Sequence, residues 1–194
     1  FRGDAPDEFR ANVRRVAGII RSARPTAVNL PWAIDRMLTR FDSALGDATS
    51  VIDALHDEAT QMLNEDREMC RRIGEHGAAL IPDRARVLTH CNAGALATTG
   101  MGTALAPIYL AVERGKHVEV LADETRPLLQ GSRLTAWELK RAGIPVTVLA
   151  DNMAASRMRG GGVDLCIGGA DRIASTRPVG NQSGNHGGAG CPRR

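Results

Sequence analysis

An alternation of short apolar strands and helical segments after Pro82 constrains the fold of this chain more than any other feature. The predicted strands, each rich in Val, Leu or Ile, span residues 86–89, 117–121, 146–149 and 163–167, and the predicted helices between them span about 94–114, 131–142 and 152–158. Strands joined by helical crossovers lie parallel, with helices on both faces of the sheet. The pattern therefore predicts an α/β fold with a Rossmann-like parallel sheet.

Helical periodicity precedes this part of the chain. Apolar residues recur every three or four positions in residues 8–23, 32–45 and 50–80, which predicts three amphipathic helices. We expect Gly74 and Gly77 to bend or fray the third helix near its end. Pro25 holds Arg24 in an extended conformation, so Arg24 is expected on a rigid bend.

Two domains are predicted from this change of pattern. A helical amino-terminal domain covers residues 1–82, and the Rossmann-like domain covers residues 83–194, with an irregular tail at 180–194. The chain begins without Met and ends in a glycine-rich stretch that lacks periodicity. We therefore expect a fragment that is truncated at both ends.

Composition narrows the classes of function. The 194 residues are 43% apolar, which suffices for a packed core. The 25 basic and 22 acidic residues are dispersed, so a nucleic-acid partner is not expected. Four cysteines lack the close spacing of zinc sites and disulfide frameworks, and no apolar run is long enough to span a bilayer. A cytoplasmic protein without a membrane partner is expected.

Cys91 is the first candidate for chemistry. It follows the strand at 86–89 and precedes the predicted helix that starts near Gly94. A helix amino terminus stabilises a thiolate, so the pKa of Cys91 is expected to fall there, and the same terminus can receive a phosphate group. The alternative is that Cys91 is a small core hydrophobe.

Polar residues cluster where the predicted strands end, which is where ligands bind in open parallel sheets. Asp171 follows an apolar and glycine-rich run, where desolvation would raise its carboxyl pKa and allow a general acid. The alternative is that Asp171 caps a turn or pairs with Arg172. Gln130 precedes a helix and either binds a sugar hydroxyl or caps that helix. The clusters are residues 89–92, 123–126, 151–152 and 171–172.

His90 is interpreted as structural, because adjacent side chains such as those of His90 and Cys91 often point apart. The glycines at 94, 100 and 102 do not follow a strand in the Gly-x-Gly pattern and are placed within the predicted helix. A dinucleotide site is therefore not indicated.

Four segments together resemble the methylthioribose-1-phosphate isomerase family of methionine salvage. The resemblance extends to about Val179, and the segments are SARPTAVNL (22–30), THCNAGALAT (89–98), ADETRPLLQG (122–131) and GADRI (169–173). The wider superfamily also contains ribose-1,5-bisphosphate isomerases and regulatory subunits of a eukaryotic initiation factor exchange complex. Those regulatory subunits generally lack the cysteine and aspartate pair that this chain retains.

The resemblance implies an isomerase of a small sugar phosphate, with Cys91 and Asp171 as catalytic residues and Arg24 and Gln130 as substrate-binding residues. It also implies a homodimer and no metal or nucleotide cofactor. Asn181 and Gln182 correspond to a substrate-binding Asn-Lys pair of the family, so the cation of that pair is absent here. The alternatives are a ribose-1,5-bisphosphate isomerase and a non-catalytic regulatory or binding protein of the same fold.

Overall fold

The computed structural model describes residues 6–24, 28–170, 172–173, 175 and 179–180. Contacts divide the chain into two compact units, residues 1–65 and 66–194. The domain boundary after residue 82 that the sequence suggests stays a prediction.

The first unit is helical, as predicted. It contains α1 (Pro6–Ser22), α2 (Asn29–Ser43) and the beginning of α3 (Ala48–Leu80). Phe9 and Phe41 are buried with ring centroids 6.0 Å apart, and Val51 of α3 completes their cluster. The apolar faces of the amphipathic helices thus form a core of their own.

The end of α3 departs from the prediction, because the helix continues unbroken past Gly74 and Gly77 to Leu80. A Cβ added at Gly74 would lie 3.2 Å from the Cβ of Ala106, and one at Gly77 would lie 2.8 Å from the Cβ of Pro107. The prediction that these glycines fray the helix is therefore wrong, and the predicted bend stays a prediction. The two glycines instead leave room for α4 (Ala106–Glu113) to pack closely.

A four-stranded parallel sheet organises the second unit, which confirms the predicted fold class. Its strands lie in the order β3-β2-β1-β4, and residues 172–173 and 179–180 form a separate antiparallel pair, β5 and β6. Thr89 at the end of β1 lies opposite both Ala122 and Ile167. The four strands are β1 (Ala85–Thr89), β2 (Val118–Asp123), β3 (Val146–Leu149) and β4 (Leu165–Ile167).

Both faces of the sheet are covered. On one face Val87 and Val120 pack with residues of α4 and of α5 (Ala136–Arg141). On the other face Leu88 and Leu121 pack with α6 (Ala154–Arg159). This alternation along β1 and β2 is typical of a strand buried on both sides.

The strand order creates a switch point between β1 and β4. The chain proceeds outward from β1 through β2 to β3 and then returns to the other side of β1. In such sheets ligands bind beyond the carboxyl ends of the two strands that flank this point. Cys91 lies two residues after the end of β1.

The helix predicted over residues 94–114 is wrong. Residues 95–97 form one short 3-10 turn, and α4 begins only at Ala106. The hydroxyl of Thr98 accepts hydrogen bonds from the amides of Gly100 and Gly102, at 3.3 and 3.1 Å. Side chains that bind nearby backbone groups compete with helix formation, and the glycines add to its cost.

The chain after β2 turns sharply and enters a π-helical segment, Gly131–Thr135, that continues into α5. A Cβ added at Gly131 would overlap the carbonyl oxygen of Asp123. The start of this helical segment therefore lies directly against the end of β2, which only glycine permits. The helix predicted over residues 131–142 is confirmed. Among the described residues no helix combines the length and apolar character that crossing a membrane requires.

The contact at Gly131 gives a prediction for stability. Gly131→Ala should lower the free energy of unfolding by about 3 kcal/mol, because the added methyl group must displace packed backbone. Urea unfolding followed by circular dichroism measures this change. Gly168→Ala is the control, since an added Cβ there meets no atom within 4 Å. Equal stability of the two variants would contradict the prediction.

Candidate active site

Three of the predicted polar clusters meet at the carboxyl edge of the sheet. The backbone N–H of Cys91 donates to the hydroxyl oxygen of Thr125 at 2.8 Å, and the N–H of Thr125 donates to Asp151 at 2.8 Å. His90 contacts Asp123 with 3.2 Å between Nδ1 and Oδ2. The ends of β1, β2 and β3 are thereby joined by side-chain hydrogen bonds. Asp171, of the fourth cluster, lies outside the described residues.

Cys91 has its backbone fixed on both sides. Its N–H is held by Thr125, and its carbonyl oxygen accepts a hydrogen bond from the hydroxyl of Thr135 at 2.6 Å. Its φ of 62° is in the left-handed region, which is uncommon for a residue other than glycine. Cys91 is half-buried, so the alternative of an enclosed core residue is not what the structure shows.

The backbone around Cys91 does not form the long helix that was expected to stabilise a thiolate. The expectation for Cys91 rested on the amino terminus of a long helix near Gly94, and the short turn at Ala95–Ala97 takes its place. A macrodipole needs several aligned turns, so a three-residue turn does not provide one. That part of the prediction is wrong, and the hydrogen bonds of Thr125 and Thr135 are what define the site around Cys91.

Gln130 begins the helical segment that follows the turn after β2. Thr125 and Leu129 in this turn have φ values of 61° and 57°. Gln130 is half-buried, and its side chain makes no capping hydrogen bond, so the alternative role as a helix cap is wrong. The same turn thus carries the hydroxyl of Thr125 that holds Cys91 and, five residues later, the amide predicted to bind substrate.

The structure pairs His90 with Asp123, and the interpretation of His90 as a structural residue stays a prediction. The hydrogen bond to Asp123 raises the pKa of His90 above its ordinary value, assisted by the charges of Asp123 and Asp151 and opposed by burial. Asp123 is 6% exposed. Among the described residues its Oδ1 has no hydrogen-bond partner. A hydrogen-bonded His–Asp pair therefore lies next to Cys91 in the chain, with the carboxyl group of Asp123 buried.

Glu138 of α5 is a site residue that the sequence analysis missed. Its carboxylate accepts hydrogen bonds from the side chain of Asn92, from the N–H of Ala95 at 2.8 Å and from the hydroxyl of Tyr109 at 3.1 Å. Burial, together with Glu138, raises the pKa of Tyr109 well above its ordinary value. In the sequence, the signal that could have identified Glu138 is its helical spacing from Thr135. Residues three positions apart lie on the same face of a helix, so both side chains can reach one loop.

His90, Asp123 and Asp151 are the described residues that could hold a metal ion, since one ligand atom from each lies within 4.8 Å of the others. Each is already engaged. His90 pairs with Asp123, and the two oxygens of Asp151 accept the N–H groups of Thr125 and Arg126, each at 2.8 Å. Of the carboxylate oxygens in this described group, Asp123 Oδ1 alone has no hydrogen-bond partner, and we assign no metal to the group on that one oxygen.

A cavity of about 440 Å³ opens at the opposite, amino edge of the sheet. Two of its basic side chains are already engaged: Arg86 pairs with Asp164, and Lys116 donates to the carbonyl oxygen of Ala78 at 2.8 Å. Of the predicted site residues that the structure describes, Arg24, Cys91 and Gln130, none lines it. The candidate active site therefore stays at the carboxyl edge.

Of the remaining predicted residues, the structure describes Arg24. Arg24 is exposed and belongs to the first unit, just after the end of α1. Asp171, Asn181 and Gln182 lie outside the described residues. Their roles stay predictions.

Comparison with known proteins confirms the resemblance carried by the four sequence segments. The Initiation factor 2 subunit family matches residues 2–193. A methylthioribose-1-phosphate isomerase from Gemmatimonas aurantiaca is 58% identical over 186 residues, which are 95% of this chain and 53% of that protein. The chain thus spans about half the length of the curated relatives it matches.

Two solved structures agree with this assignment. The 5-methylthioribose 1-phosphate isomerase from Pyrococcus horikoshii superposes with a TM-score of 0.82 at 36% identity, covering 94% of this chain and 51% of that one. The translation initiation factor eIF-2B, subunit delta, from A. fulgidus superposes with a TM-score of 0.74 at 47% identity, covering 86% and 49%.

The His90–Asp123 pair predicts a pH-dependent contribution to stability. Since the folded pKa of His90 is raised, its protonated form stabilises the fold fully below the ordinary pKa of 6.5, and this is lost as pH rises through the raised value. The difference in unfolding free energy between wild type and His90→Gln should therefore be larger near pH 6 than near pH 9, as measured by urea unfolding at each pH.

The control for this experiment is His56→Gln, which changes an exposed side chain of α3. The change with pH should be larger for His90→Gln than for this control. An NMR titration adds a direct measurement, in which Asp123→Asn lowers the pKa of His90. A His90→Gln difference independent of pH would contradict the prediction.

Proposed function

Because the chain belongs to the Initiation factor 2 subunit family, we propose that it carries the Cys91 side of an active site that converts 5-methylthioribose 1-phosphate to 5-methylthioribulose 1-phosphate. This aldose–ketose isomerisation belongs to methionine salvage. One observation carries the proposal. This chain is 58% identical to a methylthioribose-1-phosphate isomerase, and the backbone of its Cys91 is hydrogen-bonded to the turn that ends in Gln130. The site lies at the ligand-binding edge of the sheet.

The reaction explains why a proton donor is needed. In an aldose 1-phosphate the anomeric oxygen carries the phosphoryl group, so the ring cannot open as a free hemiacetal does. Opening breaks the bond between C1 and the ring oxygen, and the ring oxygen takes up a proton. A hydrogen moves from C2 to C1, and the C2 hydroxyl loses its proton as the carbonyl forms. The isomerisation is thus balanced without an oxidant or a reductant.

Asp171 is proposed as the group that protonates the ring oxygen. It follows β4 in the sequence, one of the two strands at the switch point, which supports this role. The carboxyl group must carry a proton near neutral pH, which requires a raised pKa.

Cys91 is proposed to act at the C2 hydrogen. Two routes remain open for it: the thiolate removes a proton from C2 through an enediol, or the side chain stabilises a direct hydride shift to C1. Turnover in D₂O distinguishes them, because the enediol route places deuterium at C1 of the ketose and the hydride route does not.

Substrate binding is proposed for Gln130 and Arg24, with Asn181 and Gln182 in the positions of the family's Asn-Lys pair. An amide at Gln130 suits a sugar hydroxyl, and the guanidinium of Arg24 suits a phosphate. Gln182 contributes no charge, so the phosphate relies on other cations. We also propose that the protein works as a homodimer, which sedimentation equilibrium measures.

A non-catalytic subunit is the second candidate function. It is favoured by the 47% identity to a structure titled as a subunit of a translation initiation factor and by Gln182 in place of a lysine. The isomerase is favoured by the presence of both Cys91 and Asp171. An assay for ketose formation separates the two functions.

The central test is turnover of methylthioribose 1-phosphate by the protein that carries this chain. We expect Cys91→Ser and Asp171→Asn each to lower kcat by about 100-fold or more, because each removes a group that transfers or stabilises the moving hydrogen. Thermal unfolding should be nearly unchanged. The reaction is followed by NMR of the ketose.

Cys166→Ser is the matched control, since Cys166 is exposed on β4 and has no assigned role. It should retain wild-type kcat. Ribose 1,5-bisphosphate serves as a second substrate and should be turned over more slowly. Full activity of Cys91→Ser would remove Cys91 from the mechanism, and a folded but inactive wild-type protein would favour the non-catalytic subunit.

A further inference from the structure

Glu138 is a buried carboxylate to which the proposed reaction gives no role. It is 6% exposed and accepts hydrogen bonds from the side chain of Asn92, the N–H of Ala95 and the hydroxyl of Tyr109. Burying a charge is costly unless several donors compensate it. Three donors from two different segments converge on this one, so the arrangement is strongly specified.

Two of these donors belong to the loop directly after Cys91. Asn92 is adjacent to Cys91 in the chain, and Ala95 begins the short turn that follows. The loop lies so close to Glu138 that a Cβ added at Gly94 would overlap the carboxylate. The position and the curvature of the loop are therefore set by Glu138.

The same helical segment also holds the carbonyl group of Cys91. The hydroxyl of Thr135, three residues before Glu138, donates to that carbonyl oxygen at 2.6 Å, and the side chain of Asn92 lies 3.1 Å from the same hydroxyl. Thr135 and Glu138 thus bind successive parts of one loop. Together they hold Cys91 in its left-handed conformation.

We propose that Glu138 is a positioning residue for Cys91, which fixes the loop of residues 91–95 so that the sulfur stays oriented for reaction. The role in catalysis rests on the proposed function, whereas the effect on the loop does not. A carboxylate is required because all three neighbours donate. A glutamine at this position would turn an N–H group toward one of those donors and leave it without an acceptor.

The test is Glu138→Gln in the protein that carries this chain. We expect kcat to fall about 100-fold, because a small displacement of a reacting group costs this much. KM should stay within about twofold, because no contact to the substrate is removed. Alkylation of Cys91 by iodoacetamide, measured on its peptide by mass spectrometry, should become about tenfold faster as the loop loosens.

Two variants separate positioning from general packing. Asn92→Ala removes a donor on the loop and should change kcat and alkylation in the same directions as Glu138→Gln. Tyr109→Phe removes the donor outside the loop and should change both by less than about threefold. Glu113→Gln, an exposed residue of α4, is the matched control and should behave as wild type.

The outcomes decide the proposal in each case. Wild-type kcat and alkylation in a folded Glu138→Gln protein would overturn it, as would an equal effect of Tyr109→Phe. If Glu138→Gln does not fold, Asn92→Ala decides, and wild-type behaviour of that variant would overturn the proposal. If the wild-type protein has no isomerase activity, the proposed function fails, while the alkylation rates still decide whether Glu138 holds the loop.

Discussion

The rest of the candidate site depends on the two hydrogen bonds that the carboxylate of Asp151 accepts. Its two oxygens accept the N–H groups of Thr125 and Arg126, each at 2.8 Å, which ties the turn after β2 to the end of β3. Thr125, fixed in this way, accepts the N–H of Cys91 at the end of β1. Backbone groups at the end of a sheet lack strand partners, and here side chains supply them. One carboxylate thus sets the relative positions of three strand ends.

Left-handed backbone conformations are concentrated where these hydrogen bonds act. Cys91, Thr125 and Leu129 have φ values of 62°, 61° and 57°. This conformation is particularly unfavourable for a β-branched residue such as Thr125. Each residue other than glycine that adopts it lowers the stability of the folded state by about 1–3 kcal/mol. The surrounding contacts must outweigh that cost. The surrounding hydrogen bonds therefore define the backbone conformation at Cys91, and a defined conformation is what positioning a reactive group requires.

Much of the fold was predictable because it follows from periodicity. Short apolar strands separated by helical segments allow few arrangements other than a parallel sheet. That arrangement in turn places the polar residues after β1, β2 and β3 at one edge. The meeting of Cys91, Thr125 and Asp151 could therefore be expected in outline, without knowledge of which atoms would pair.

The wrong helix near Cys91 and the overlooked Glu138 have one physical origin. Both depend on contacts between residues that are distant in the chain. The alanines near Cys91 favour a helix locally, but Asp66 accepts the N–H of Thr99 at 2.9 Å and helps to hold the segment in another conformation. Glu138 was overlooked because a glutamate in a helix usually faces water. Its burial depends on donors at Asn92 and Tyr109, which local sequence patterns do not reveal.

The hydrogen bonds around Cys91 also determine when the site can form during folding. They join residues that are 34, 44 and 46 positions apart, for the contacts of Cys91 with Thr125, of Thr135 with Cys91 and of Asn92 with Glu138. Forming such non-local contacts costs loop-closure entropy. This cost is lower once the intervening strand and helices have assembled and brought the residues together. The geometry at Cys91 is consequently acquired late, and a nascent chain that ends before Asp151 lacks the carboxylate that fixes Thr125 and has a sheet edge without an organised cysteine.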